Sequence, residues 1–521
     1  MSALSSTQEV RKHVIETPGG VVAAQHRQAA EAGAEVLRAG GDAVDAAVAA
    51  SFVIGVLEPW MSGPAGGGGA VHWRADTGEA VATNFGMRSP KGLNIADYPL
   101  SGEGKADDLF PWERVVEDRN VQGASAIAVP GTVDGVGRAH ARWGRMPWRD
   151  LLAPAIAHAR KGMLVDWYAA LLIASVARNL AQDPDAAALF LDNGIWPKGS
   201  GWTAIPDNRL DQSAMADTLE VLAKDGAQAF YKGDIAQALA GDVQAKGGCL
   251  STDDLAGYRA WMGAARPVPY RDAMFHVLPG LTAGPTFARV LELLSEADLS
   301  TPVQAYPAYA RALETAYTER LGTMGDTGET PEAPGCTTHF SIVDRAGNMV
   351  SHTQTLLSIF GSRVVSPSTG LLMNNGIMWF DPEPGKPNSL APDKSCLMNI
   401  CPVIGSQGAR SFALGASGGR KIVSAVSQLS SFICDSGMDI GAALHAPRID
   451  VSGGKGSVAD ETLPPEVLSA IEAVMPVQTT KRTVMPYAFA CPAGVMRDGA
   501  VNTGCTEIMS PWGDAALEEI Q

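Results

Sequence analysis

From Ala23 to Ala39 the chain reads AAQHRQAAEAGAEVLRA, a run of strong helix formers that predicts a helix closed at Gly40-Gly41 by a left-handed cap. Asp42 then stands where an N-cap is wanted. The segment Ala43–Leu57 behind it is apolar almost throughout, which predicts a helix buried on most sides. Pro59 ends that helix. Met61 to Gly69 follow, then an alternating strand Ala70–Arg74, a turn at Asp76-Thr77-Gly78 and a second strand to Phe85: a helix pair feeding a buried hairpin. Residues 130–260 are predicted mainly helical, punctuated by Pro130-Gly131, Gly144 and Pro147, and 303–321 form another amphipathic helix. A short Gly/Pro/acidic linker, Thr323 to Cys336, leads into a strand-rich remainder.

Two β-rich runs, Thr337–Val343 and Met349–Leu356, flank the turn Asp344-Arg345-Ala346-Gly347-Asn348 and read as a hairpin. Closed symmetrically about Ala346, it sets Val343 against Met349 and Thr337 against Thr355. Directly opposed residues have Cβ atoms about 4.5–5.5 Å apart, so the two threonine hydroxyls come within reach if the register holds. The run Gly66-Gly67-Gly68-Gly69 invites a phosphate-cradle reading, but it lacks the lysine of a P-loop and follows a helix rather than a strand. Close backbone packing is the expected reason for it.

Composition narrows the class. Apolar residues make up 46% of the 521 residues and charged residues 18%, against about 25% in ordinary soluble domains, which suits a heavily buried enzyme. A net charge of −16 with no compensating Lys/Arg cluster disfavours nucleic acid and anionic membranes as partners. The N-terminal residues Met1 to Val14 contain no apolar core of a secretory signal, and Ala43–Leu57 is too short to span about 30 Å of hydrocarbon. Seven cysteines without CxxC spacing and scattered histidines indicate neither a disulfide framework nor a metal site; the expected compartment is the cytoplasm.

The chain resembles the γ-glutamyltranspeptidase family of N-terminal-nucleophile (Ntn) hydrolases in blocks that recur in order along most of its length. They are AEAGAEVLRAGGDAVDAA from Ala30, Glu58-Pro59 with Ser62-Gly63 and the glycine run, and Val129-Pro130-Gly131-Thr132-Val133. Trp143 to Trp148, Pro154-Ala155-Ile156, Phe230 to Gly233 and Leu250 to Leu255 with Tyr258 follow. The last are Thr337 to Ser341, Phe360-Gly361-Ser362, Asn374-Asn375 and Gly415 to Gly419.

The resemblance implies an α+β fold, the four-layer αββα Ntn-hydrolase sandwich. It also implies a precursor that cleaves itself between Cys336 and Thr337 into a helix-rich large subunit, 1–336, and a small subunit, 337–521, together forming one fold. The Thr337 hydroxyl would attack the Cys336 carbonyl, and water would hydrolyse the resulting ester. The freed α-amine, with a reference pKa of about 7.7–8, would then serve as base for its own hydroxyl, with no cofactor and no metal. Thr355 would orient Thr337, and the amides of Gly418 and Gly419 would form the oxyanion hole. The implied partners are a small-molecule amide, water and the two fragments of the precursor; a homodimer is admissible.

Departures from the family pattern concentrate where a γ-glutamyl donor is gripped. Gly86 stands at the position of the carboxylate-clamping arginine, with Arg88 offset by two residues. Trp379 stands at the acidic position that pairs with the α-ammonium, Gly376 at its glutamine or glutamate neighbour, Met398-Asn399 at the serine pair, and Leu357 at the asparagine beyond Thr355. Asn388 to Lys394 is too short for the family's lid, and the linker from Asp326 to Thr337 is brief. These differences imply an amidase whose acyl group is less zwitterionic than glutamyl, such as oxamate or another acyl amide, favouring hydrolysis over transfer. Arg88, Trp379 and Asn399 are the candidate substrate-binding residues.

His339 shares a strand face with Thr337 but is expected to be a structural neighbour rather than the base. Three alternatives stay open: a true γ-glutamyl or glutathione hydrolase, an inactive binding scaffold, and a serine hydrolase built on Gly415-x-Ser417-x-Gly419 with Asp439 and His445 downstream.

Overall fold

The computed structural model describes residues 10–105, 112–201, 203–324, 336–452 and 456–519. Two seven-stranded sheets form its centre. The first carries β2 (Val21–Ala24), β3 (Gly67–Arg74), β4 (Glu79–Phe85), β5 (Trp261–Ala264), β8 (Cys336–Val343), β9 (Met349–Leu357) and β14 (Asp514–Leu517), ordered β14-β2-β8-β9-β3-β4-β5. The second carries β1 (Ile15–Thr17), β6 (Arg266–Tyr270), β7 (Ala273–Val277), β10 (Val403–Gln407), β11 (Arg410–Ser417), β12 (Cys491–Asp498) and β13 (Val501–Thr506), ordered β1-β13-β12-β11-β10-β7-β6. Neighbouring strands within both sheets pair antiparallel.

The sheets stack face to face, with β8 and β9 over β11 and β12. The Ser351 hydroxyl on β9 donates across the gap to the Leu414 carbonyl on β11 at 2.7 Å. Helices α1 (Arg27–Arg38) and α2 (Ala43–Leu57) cover the first sheet, and α3 (Gly284–Ser295), α4 (Pro302–Met324), α5 (Lys421–Cys434) and α6 (Ile440–His445) lie on the side of the second. This is the expected αββα sandwich. Thr337 stands at the start of β8, a central strand.

Every residue of α2 is buried, as its continuous apolar sequence predicts, and Asp42 and Asp45 close its first turn with a reciprocal capping box. Asp42 also accepts from Arg74 on β3 at 2.8 Å, tying the helix end to the sheet beneath it.

Three local readings change. Residues 23–24 belong to strand β2, not to the first helix, which starts at Arg27 behind an N-cap at His26. Alanine-rich sequence favours a helix there, but pairing with both β8 and β14 places Val21–Ala24 in the middle of a sheet, fully buried. Gly67–Gly69 belong to strand β3 rather than to a preceding loop. The last helix before the linker runs from Pro302 to Met324, slightly longer than predicted at both ends. Most of the linker, 325–335, lies outside the described residues.

The glycine run is a packing device. A Cβ at Gly66 would sit 2.4 Å from the Thr355 carbonyl oxygen, and one at Gly68 only 2.2 Å from that of Thr353. Backbone on both sides leaves nothing flexible to yield. Gly68→Ala is therefore expected to destabilise the protein by about 3 kcal/mol or more, read as a lower thermal midpoint or as loss of soluble protein.

Candidate active site

The hairpin closes in the register read from its sequence, but only as far as its open end. Val343 pairs with Met349 and Thr338 with Gln354, and then the ladder slips so that Cys336 faces Leu357. Thr337 sits in this irregularity. Its Oγ1 lies 3.4 Å from Thr355 Oγ1, a long contact of the kind that tightens in an occupied site. Thr355 Oγ1 also accepts the Leu357 N–H at 2.8 Å. Leu357 has a φ of +89°, a conformation side-chain-bearing residues seldom adopt, and this turns its amide back onto Thr355.

The end of β9 is stapled by the two asparagines named above. Asn375 accepts the Ser358 N–H at 3.0 Å and donates to the Val121 carbonyl at 2.8 Å. Asn374 accepts the Ala128 and Gly376 N–H groups and donates to the Ala65 and Ala128 carbonyls. Both side chains are fully buried, so these bonds fix the loop beside Thr355 rather than leaving amides for a ligand.

The second sheet brings Gly418 and Gly419 to the same end. A Cβ on Gly415 of β11 would touch the His339 ring on β8, at 2.3 Å from Cε1, so those residues stack across the sandwich. Two residues further along each strand in opposite directions stand Thr337 and Ser417. Gly418 and Gly419 follow with φ of +128° and +56°, and α5 begins two residues later. A Cβ on Gly418 would lie 2.9 Å from Ala490 Cα. Backbone amides at such a turn, leading into the positive end of a fourteen-residue helix, suit a developing oxyanion.

His339 is spent on structure. Its Nδ1 lies 2.9 Å from Thr353 Oγ1 and its Nε2 2.9 Å from Ser341 Oγ; burial holds its pKa well below the ordinary imidazole value. The serine-hydrolase arrangement is not assembled. Ser417 Oγ accepts from Gln25 Nε2 at 2.8 Å and lies 3.1 Å from the Tyr487 hydroxyl. His445 Nε2 instead accepts the Lys12 N–H at 3.0 Å, its Nδ1 lies 2.7 Å from the Gly441 carbonyl, and Asp439 caps α6.

The three candidate binding residues part company. Arg88 donates to Asp393 Oδ1 at 2.9 Å and to its carbonyl at 2.6 Å, within the segment Asn388 to Lys394, and its side chain is 37% exposed. Trp379 is buried in one cluster with Met87, Met378 and Met398, and among the described residues its indole N–H has no hydrogen-bond partner. Asn399 is held by Arg320, which donates to its Oδ1 at 3.0 Å, and among the described residues its buried Nδ2 has no acceptor. Burial lowers Arg320 to about 10. Where the family carries its clamping arginine, a Cβ on Gly86 would lie 2.7 Å from Met398 Cε. Methionine occupies the space a longer side chain would need.

Glu58, which the sequence offers only as part of a matching block, joins the site from below. It caps the C-terminus of α2, is 4% exposed, and lies 3.0 Å from Thr338 Oγ1. Burial pushes its carboxyl up to about 7. Only an acid placed directly after the largely apolar fifteen-residue segment 43–57 hinted at it. Among the described residues, no cluster of three or more His, Cys, Asp or Glu could hold a metal ion.

The family model for gamma-glutamyltranspeptidase matches residues 29–334 and 327–485. Acylase ACY 1 proenzyme of Pseudomonas sp. (strain V22) is 32% identical over 496 residues, covering 87% of this chain and 86% of that protein. Glutathione hydrolase proenzyme of Bacillus subtilis (strain 168) is 30% identical over 513 residues, covering 87% and 84%. Among solved structures, cephalosporin acylase from Bacillus halodurans superposes with a TM-score of 0.84 at 26% identity over 99% of this chain and 98% of that one. With matches along nearly its whole length, the chain belongs to the gamma-glutamyltranspeptidase family and is an Ntn-type amidohydrolase or acyltransferase, a divergent member of that family.

Proposed function

We propose that the chain cuts itself between Cys336 and Thr337 into fragments of 336 residues and the remaining 185 of its 521, and that the mature enzyme hydrolyses a small acyl amide through an acyl-Thr337 ester. The observation that carries this reading is that Thr337 lies beside Thr355 on a strand stacked over β11, whose Gly415 faces the His339 ring and which runs into the Gly418-Gly419 turn. In the first half-reaction the Thr337 α-amine takes the proton of Oγ1, Oγ1 adds to the substrate carbonyl, and the oxyanion is held by the two glycine amides. The proton then passes to the leaving amine. Water repeats the sequence on the ester and releases the acid. The large and small fragments stay interlocked, because β8 pairs with β2 on one side and β9 with β3 on the other.

For the acyl group, the support lies in what the donor pocket contains. Met398 beside Gly86 and the buried Trp379 make the neighbourhood apolar, and among the described residues the Trp379 indole N–H and the Asn399 Nδ2 have no hydrogen-bond acceptor. Such a site suits a flat acyl group with acceptor oxygens better than an amino-acid zwitterion, whose ammonium needs an anionic partner. The acylase and glutathione hydrolase relatives define the rivals.

A substrate panel decides between them. Oxamate and acyl-amide antibiotics are expected to be turned over with kcat/KM at least about tenfold above γ-glutamyl anilide and glutathione, the scale of one lost charged contact. Preference for the glutamyl compounds would establish a true γ-glutamyl hydrolase. No turnover by fully processed protein would establish a binding scaffold.

A further inference from the structure

Behind Thr337 runs a chain of buried hydrogen bonds that connects the two sheets. Glu58 Oε2 lies 3.0 Å from Thr338 Oγ1, and Thr338 Oγ1 lies 3.2 Å from Gln25 Oε1. Gln25 Nε2 donates to Ser417 Oγ at 2.8 Å and to the Cys491 carbonyl at 2.5 Å. Ser417 Oγ meets the Tyr487 hydroxyl at 3.1 Å. Glu58, Gln25, Thr338 and Ser417 are all buried. Thr338 adjoins the nucleophile, and Ser417 adjoins Gly418.

Counting protons fixes the state of this chain. The Cys491 carbonyl can only accept, so it determines which end of the Gln25 amide is nitrogen, and Gln25 Oε1 must face Thr338. That oxygen is also only an acceptor. Thr338 has a single hydroxyl proton and two acceptor neighbours, Gln25 Oε1 and Glu58. If Thr338 gives its proton to Gln25, the Glu58 contact is a hydrogen bond only when Glu58 carries a proton and donates it. If Thr338 gives its proton to an ionised Glu58, two bare oxygens are left facing each other at 3.2 Å in a buried site.

We infer that Glu58 is a neutral carboxylic acid in the active enzyme and acts as a positioning residue, donating to Thr338 so that the order Glu58→Thr338→Gln25→Ser417 locks the nucleophile's strand to the strand entering Gly418. This rests on the reading of Thr337 as nucleophile and Gly418-Gly419 as oxyanion turn. Burial raises the carboxyl's pKa to about 7 against the opposing pull of the Thr338 hydroxyl, so the neutral form is well populated near neutral pH. The groups facing Glu58 are few. Thr338 contacts it from β8, and the Cys491 thiol on β12 feels its charge. Among the described residues no Lys, Arg or His lies within ion-pairing distance of it. On β8 the titratable groups flanking Thr338 are His339, which strand alternation puts on the other face and which contacts Thr353 and Ser341, and the α-amine that cleavage would create on Thr337.

The two groups titrate in opposing senses for activity. Loss of the amine proton switches the base on as pH rises, and loss of the Glu58 proton disorders the chain, giving kcat a falling alkaline limb. Glu58→Ala removes the donor and is expected to lower kcat about tenfold with KM little changed. Glu58→Gln, whose amide supplies a non-titrating N–H to Thr338, is expected to restore kcat and abolish the alkaline limb. In the infrared spectrum the wild-type protein should show a protonated-carboxyl C=O band that titrates away with rising pH and is missing from Glu58→Gln.

A Glu58→Gln enzyme as impaired as Glu58→Ala would show that a carboxylate is needed and overturn the proposal. So would an alkaline limb unchanged in Glu58→Gln. The infrared titration does not depend on turnover. If Thr337→Ala proved active, the assignment of the nucleophile would fail, while the spectrum would still decide whether Glu58 holds a proton.

Discussion

Thr337→Ala is expected to leave the protein as one 521-residue chain and to reduce turnover by about 10⁶-fold, the scale at which loss of an acyl-enzyme nucleophile takes other hydrolases. One hydroxyl is asked to do two jobs. On the proposed mechanism it attacks the Cys336 carbonyl in the precursor, and without it no ester forms for water to open. In the mature enzyme it must carry the acyl group. A denaturing gel and intact mass read the first job, with the wild-type small fragment beginning Thr-Thr-His-Phe on N-terminal sequencing. Steady-state assay of the favoured acyl amide reads the second. Cleaved Thr337→Ala protein, or an uncleaved wild type that stays inert, would remove Thr337 from both. Thr337→Ser keeps an Oγ and should restore both in part.

Gly418→Ala carries the next largest effect. Its φ of +128° lies in a region that L-residues rarely adopt, and the added Cβ would press within 2.9 Å of Ala490 Cα, which is backbone and cannot swing aside. The turn must shift, and with it the amides proposed to hold the oxyanion. The expected result is a fall in kcat of about 10²–10³-fold, the usual cost of one oxyanion donor, with a smaller change in KM. Because that oxyanion exists only in the transition state, the split between kcat and KM separates this from a loss of substrate affinity. Wild-type kcat in a folded, processed Gly418→Ala enzyme would exclude the turn from the oxyanion role.

Sequence periodicity and the family likeness together exposed much of this site. Thr337 and Thr355 are related by hairpin symmetry, and the observed ladder follows that symmetry from Val343 back to Thr338. At Thr337 it breaks, because Leu357 adopts a positive φ and shifts the pairing by one. Register is an outcome of local hydrogen bonding at the open end, where turn chemistry no longer constrains it. The glycine run was legible as close packing, although which backbone it packs against, β9 at Thr353 and Thr355, was not. Arg88 shows the opposite case: its offset from the clamp position left a binding role open, and its ion pair with Asp393 belongs to a loop more than three hundred residues away.

The sequence by itself determined the elements that local chemistry dictates: the capped apolar helix over 43–57 and the hairpin whose ladder pairs Val343 with Met349 and Thr338 with Gln354. Those follow from periodicity, capping and turn residues, all read within a few positions of each other. Tertiary structure alone decided what depends on distant segments meeting. Strand β2 exists because two partners flank it, against its helical composition. Met398 fills the space beside Gly86, and Glu58, Thr338, Gln25 and Ser417, drawn from four separate stretches of chain, share a single line of hydrogen bonds. Burial sets how those groups are protonated, and burial is a property of the assembled sandwich rather than of any one segment.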